Sequence, residues 1–245
     1  MKVAWIREDL HVHSTFSDGA GSVAENVRQA SALGLRRLGC VDHVRRDTDW
    51  VPAYAEAVRR AARFASLEVL CGVEAKILDE EGLLDCPLDL AGVDRIYVAD
   101  HRWPYGRECL TPEEVLRLLA AGKVSRSRLL DSLLRATANA LKARPQIVLA
   151  HLFSILPKVG MDESEVPRSA LEELARSAAE GDAILEVSER WRCPSPRTVQ
   201  VFVDHGVPIE FSTDSHRVSE IGRYSYAEEV VLAVDWQLAA TGGRP

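Results

Sequence analysis

The chain has 245 residues, of which 47% are hydrophobic and 27% charged, and its formal net charge is −7. This length suffices for one large core, the composition is that of a soluble globular protein, and the acidic balance argues against nucleic-acid binding by bulk charge. Five scattered cysteines (Cys40, Cys71, Cys86, Cys109, Cys193) lack CxxC spacing and read as reduced thiols; no run approaches the roughly 20 apolar residues of a membrane helix, and a cytoplasmic location is the expectation.

Strand-like and helix-like segments alternate along the chain. Val3–Val12 is the first predicted strand, and 22–33 follows as a helix that Gly34 ends. Leu38–Val41 is a short buried strand, Pro52–Ala65 an amphipathic helix with proline near its start, and Glu68–Val73 a strand. Residues 76–87 form a hairpin or long loop turning at Gly82. Arg95–Ala99 is the next strand. Thr111 caps a helix over 112–121, and 127–143 is a second helix. Ile147–Ala150 is a strand, 167–179 a helix closed by Gly181, 183–187 a strand, and 196–205 a helix. Val207–Phe211 is the last strand and Tyr226–Ala240 the closing helix. About seven β/α repeats argue for a barrel or a doubly wound sheet in one domain, with a core over about 3–240 and a frayed tail over 241–245.

Six of the seven histidines stand where an apolar run ends. The runs read DLHVHSTFSDG (His11, His13), LGCVDH (His43), RIYVADH (His101), IVLAH (His151) and IEFSTDSH (His216). A further run, VLCGVE, ends in Glu74. Residues two apart on a strand share a face, so His11 and His13 can address one metal, and Asp214 and His216 repeat that spacing. Asp18 follows in a turn. Imidazole and carboxylate are the ligands of borderline divalent metals, and a buried carboxylate is costly unless paired or bound to a cation. Any one of these histidines alone reads as structural. Together they point to a metal cluster at the mouth of a barrel, where such folds keep their chemistry. His205, before Gly206, reads as a helix-end residue outside the site.

In order and spacing, DLHVHSTFSDG, VDH, GVE, ADH, LAH and STDSH resemble the PHP (polymerase and histidinol phosphatase) family from Asp9 to about Gly222. The resemblance implies a distorted, TIM-like (β/α)7 barrel of the α/β class. It implies a nine-residue ligand set, His11, His13, Asp18, His43, Glu74, His101, His151, Asp214 and His216, holding two to three divalent ions, usually Mn, Fe or Zn. The stretch AKILDEEGLLDCP resembles the family's hairpin. Two departures bear on substrate. Asp100 stands where the family often has a small residue, and EVSERWR replaces the asparagine-containing segment of histidinol phosphate-cleaving members.

Three divalent cations bring about +6 and the three carboxylates return about −3, which suits a phosphate dianion. The expected activity is hydrolysis of a small phosphomonoester by a metal-bridged hydroxide, with Asp214 or His216 protonating the leaving oxygen. Candidate phosphate-gripping cations are Arg102, Lys158, Arg190, Arg192 and Arg217, with Lys158 and Arg190 foremost. The alternatives are a phosphodiesterase or exonuclease, an amidohydrolase-type enzyme using Lys76, and a non-catalytic metal-binding barrel. Trp103 and Tyr105 beside Arg102 are the residues an exonuclease would use for stacking, and loop packing is their default reading.

Overall fold

The computed structural model describes residues 6–143 and 146–236. The strands are β1 (Glu8–Val12), β2 (Arg37–His43), β3 (Glu68–Lys76), β4 (Arg95–Ala99), β5 (Trp103–Tyr105), β6 (Glu108–Leu110), β7 (Ile147–Ala150), β8 (Ile184–Ser188) and β9 (Ile209–Ser212). The helices are α1 (Val23–Ala32), α2 (Val51–Ala62), α3 (Pro112–Ala120), α4 (Arg126–Ala143), α5 (Arg168–Glu180), α6 (Pro196–Asp204) and α7 (Tyr226–Ala233).

Helix starts follow their capping residues. Ser22 caps α1 and Thr111 caps α3, each in a reciprocal box with a glutamate three residues on, Glu25 and Glu114. The buried residues of α1, Val23, Asn26, Val27 and Ala30, recur at helical spacing and define the face laid on the sheet. The closing helix is shorter than expected. It ends at Ala233 because Val234 takes extended backbone (φ −94°, ψ 138°). Positions 237–240 of that predicted helix, the tail 241–245, and positions 3–5 of the predicted first strand lie outside the described residues.

Seven strands form one parallel sheet in the order β1-β2-β3-β4-β7-β8-β9, and β5 and β6 make a separate antiparallel hairpin. That hairpin occupies the segment expected to be loop. Its Trp103 is fully buried, donating to the Leu129 carbonyl and Ser132 Oγ at 3.1 Å, and so offers no stacking platform. Residues 77–84 make the expected turn, with an Ile77–Leu84 bridge and Gly82 at φ +80°.

The sheet closes between β1 and β9 mainly through side chains. His13 N donates to Ser215 O at 2.9 Å at the top of the seam. Below it, Glu8 accepts from Phe211 N at 3.1 Å, and Asp9 accepts from Thr213 N and Gly222 N, both at 2.9 Å. Carboxylates on the first strand thus replace the missing ladder bonds, giving a distorted α/β barrel. A small apolar cluster of Val41, Tyr97, Ala99, Val148 and Ala150 joins β2, β4 and β7. A much larger cluster packs helix residues such as Val27, Leu133, Leu174 and Phe202 with strand residues such as Leu38 and Leu149.

Candidate metal centre

Every strand of the parallel sheet points its C-terminal end to the same rim, and the nine predicted ligands lie there. Register on β1 is not simple alternation. Asp9 opposes Leu38 and Val12 opposes Cys40, so β1 carries an extra residue relative to β2. Gly39 permits this, because a Cβ there would collide with the Leu10 carbonyl. The bulge still leaves His11 and His13 adjacent, with ring centroids 4.9 Å apart. Glu74 does not end its strand; β3 continues through it to Lys76. His151 (φ 32°) and Asp214 (φ 50°) adopt left-handed backbone, a strained conformation often found at functional sites.

Glu74 is the hub. Its Oε1 lies 2.9 Å from His151 Nε2 and 3.0 Å from His101 Nε2. Its Oε2 lies 2.8 Å from His43 Nδ1, 3.5 Å from His11 Nε2 and 3.6 Å from His13 Nε2. Five imidazoles therefore surround one buried carboxylate. Asp18 faces His13 Nδ1 at 3.6 Å, His43 Nε2 at 3.5 Å and His216 Nε2 at 3.4 Å. Asp214 Oδ1 faces His13 Nε2 at 3.1 Å and His216 Nδ1 at 3.5 Å.

The residues around this set hold it in place. Glu186 on β8 accepts from His11 Nδ1 at 2.8 Å and from His151 N at 2.6 Å. Ser154 Oγ donates to Asp100 at 2.6 Å and sits 3.0 Å from His151 Nδ1. Asp42 accepts from Ser14 N (2.9 Å), Ser14 Oγ (2.6 Å) and Ser17 Oγ (2.5 Å), clamping the turn that presents Asp18. Gly19 lets that turn fold back, since a Cβ there would sit 2.5 Å from the His13 backbone. Trp191 Nε1 donates to Asp214 Oδ2 at 2.6 Å. Sequence reading missed Glu186, Asp42, Ser154 and Trp191. Glu186 does carry a signal, a carboxylate inside the apolar run AILEVS.

The buried rings and carboxylates shift one another's ionisation. Burial disfavours charge on Glu74, yet the His101 and His11 rings hold its carboxyl well below the usual range. Burial also disfavours charge on His11, which Glu186 and Glu74 nevertheless raise well above the usual imidazole value. His151 behaves alike, carried to about 10 by Asp100 and Glu74 against the effect of burial. Burial pushes His13 down to about 4. His11 Nε2, both ring nitrogens of His13, Glu74 Oε2 and Asp214 Oδ1 are buried and, although rings and carboxylates stand as close as 2.8 Å here, none of these atoms makes a well-directed hydrogen bond. Buried polar atoms are normally paired, so this concentration of lone pairs fits divalent cations.

Three groups have ligand atoms within 4.8 Å of one another: His13, Asp18, His43 and His216; His11, His13 and Asp214; His43, Glu74 and His101. His13 and His43 are shared. His151 belongs to none of the three and reaches the set through Glu74. His205 lies apart at the α6 C-cap, its Nδ1 2.8 Å from the Val201 carbonyl.

The predicted phosphate-gripping cations divide. Lys158 is half-buried, its Nζ 4.3 Å from the centroid of Trp191. Arg190 is exposed, 4.0 Å from Glu220, which also accepts from His216 N at 3.2 Å. Arg192 instead pairs with Glu229 at 3.2 Å and lies over Tyr226, both on α7, so it is engaged away from the nine residues. Arg102 and Arg217 are exposed, and no carboxylate pairs with them among the described residues. Lys76 Nζ bonds Asp85 at 2.5 Å rather than any of the nine rim residues.

Among the described residues no helix is long and apolar enough to cross a membrane. A 74-residue segment is 36% identical to phosphoribosyl 1,2-cyclic phosphate 1,2-diphosphodiesterase of Eggerthella lenta; it spans 30% of this chain and only 26% of that relative. The fold is similar to the crystal structure of histidinol phosphate phosphatase from Lactococcus lactis subsp. lactis, complexed with zinc, L-histidinol and phosphate. That similarity has a TM-score of 0.63 at 17% identity and covers 97% of this chain and 94% of the other. The PHP domain matches residues 9–190, most of the parallel sheet and seven of the nine rim residues, and the chain belongs to the PHP domain family.

Proposed function

We propose that the chain is a metal-dependent phosphoesterase that hydrolyses a small phosphomonoester. His11, His13, Asp18, His43, Glu74, His101, His151, Asp214 and His216 would hold two to three divalent ions. The observation that carries this reading is the Glu74 carboxylate buried among five imidazoles, with partnerless donor atoms converging beside it. Bound cations supply Lewis acidity toward phosphoryl oxygens and lower the pKa of water.

The chain's own residues do the rest. Glu186 holds His11 through Nδ1 and Ser154 holds His151 through Nδ1, so both rings turn Nε2 toward Glu74. Lys158 and Arg190 supply positive charge for the phosphate dianion at the mouth. As ligands to the ions, His216 and Asp214 would have no proton to give, and His216 also sets Nδ1 on the Asp214 backbone carbonyl at 3.0 Å, so the leaving oxygen would take its proton from water. Arg102 and Arg217 remain candidate contacts for the leaving group.

The chain's departures at Asp100 and in EVSERWR count against histidinol phosphate specifically. The neighbour that binds L-histidinol and phosphate still makes it the first phosphomonoester to assay. Phosphodiester cleavage is the second reading, favoured by the diphosphodiesterase relative. Metal analysis of the purified protein, run with phosphomonoesters, cyclic and linear phosphodiesters and oligonucleotides in added Mn2+, tests both readings. Turnover confined to monoesters is expected. Turnover confined to diesters would favour the second reading, and no turnover of any ester would end both.

A further inference from the structure

Trp191 stands on the turn that follows β8, and that turn is braced from several sides. Ser188 N donates to Cys193 O and Glu189 N to Ser212 O, both at 2.9 Å. The Glu189 carboxylate accepts from Ser225 N, Tyr226 N and Ala227 N at 3.0–3.1 Å, at the start of α7. The indole so presented touches three groups of the rim. Its N–H bonds Asp214 at 2.6 Å, its ring lies 5.6 Å from that of His151, and its face carries the Lys158 ammonium at 4.3 Å.

We propose that Trp191 is a positioning residue with two tasks: its N–H fixes the Asp214 carboxylate within the donor set, and its face holds Lys158 at the mouth for a phosphate dianion. This assignment rests on the metallophosphoesterase reading above.

The first task follows from what an indole can do. Its N–H is a donor only; it neither ligates a metal nor accepts a bond. With Oδ2 of Asp214 accepting from the indole, the carboxylate is turned so that its buried Oδ1 faces His13 Nε2 at 3.1 Å. The second task follows from what Lys158 lacks. Among the described residues it makes no ion pair, so no carboxylate competes for its ammonium. Cation–π contact orients a lysine while leaving its charge available to an anion. Phenylalanine at position 191 would keep the face and lose the donor, which separates the two tasks.

The test uses the full chain and its Trp191→Phe, Trp191→Ala and Lys158→Met variants, each first checked for folding by near-ultraviolet circular dichroism. Mn2+ alone is titrated by calorimetry and indole fluorescence, and inorganic phosphate is then titrated into the Mn2+-loaded protein. Trp191→Phe is expected to weaken Mn2+ binding about tenfold, to lose most of the Mn2+-induced quenching, and to leave phosphate binding within about threefold. Lys158→Met is expected to leave Mn2+ affinity within about twofold and to weaken phosphate about tenfold. Trp191→Ala should show both losses. Wild-type Mn2+ affinity in Trp191→Phe overturns the first task, and wild-type phosphate affinity in Lys158→Met or Trp191→Ala overturns the second. Neither titration needs turnover. A wild type that binds both probes and hydrolyses no ester rejects the phosphoesterase reading alone, and one that binds no Mn2+ rejects both.

Discussion

Two sets of buried charges lie within this barrel, and they are built differently. Along the β1–β9 seam, carboxylates meet donors from the protein itself: Asp9 takes Thr213 N, Thr213 Oγ1 and Gly222 N, and Glu8 takes Phe211 N and Arg37. At the rim, imidazoles meet carboxylates, yet His11, His13, Glu74 and Asp214 all keep buried atoms without a partner. A satisfied buried network serves the fold. An unsatisfied one costs stability unless a ligand completes it. The difference separates closure of the barrel from its chemistry, although the two sets meet within three residues, at Asp9 and His11.

The strongest way to break this contrast is at the hub. Glu74→Gln should lower kcat by about a thousandfold, since several kcal/mol of cation-dependent stabilisation would go with its charge. The Mn2+-induced rise in melting temperature should shrink with it. A purely structural rim would instead lose stability and keep turnover per folded molecule. Next comes Glu186→Gln, which leaves the donor atoms in place and loosens the grip on His11. Metal affinity should fall roughly 10- to 100-fold, read by competition with a chelating dye. Unchanged affinity would make Glu186 part of the fold only.

At the seam the expected losses are of the other kind. Asp9→Asn should cost about 1–3 kcal/mol in urea unfolding, the size expected when buried amides lose a charged acceptor. Bound metal per folded chain should stay constant, and its loss would show that seam and rim are one system. The smallest effect concerns pH. Burial pushes Glu210 up from 4.5 to about 7, against the pull of Arg95. A carboxyl raised on folding gives stability that is complete below its unfolded value and is lost as pH rises through its folded one. The melting temperature of EDTA-treated protein should therefore carry a downward contribution between about pH 4.5 and 7. Glu210→Gln should remove that contribution, and a steeper fall in the variant would contradict it.

Much of the fold and most of the rim were legible in the sequence. Arg95–Ala99 and Ile147–Ala150 are bounded as predicted, because apolar runs flanked by turn residues leave little choice. The histidines were legible because they are few and stand at the ends of such runs. What stayed hidden depends on contacts across the barrel. His11 and Glu186 are 175 positions apart, and no spacing rule joins them. Nothing in EVSERWR ties Trp191 to Asp214, whose carboxylate takes its N–H from 23 positions away. Arg192 stands behind Arg190 as a candidate in the sequence, but nothing in EVSERWR foretells its left-handed backbone at φ 51° or its pairing with Glu229 on α7. The β5–β6 hairpin escaped because three-residue strands are too short to show alternation.

Metal ligation by the buried, unbonded atoms at the rim is what joins this fold to its chemistry. Its most direct test is bound metal per chain, measured by mass spectrometry on wild type and Glu74→Gln after loading with Mn2+ and removing free ions. Two to three ions per wild-type chain are expected, matching the three ligand groups at the rim, and at least one fewer in the variant. Equal metal content in both proteins, or none in the wild type, would contradict it.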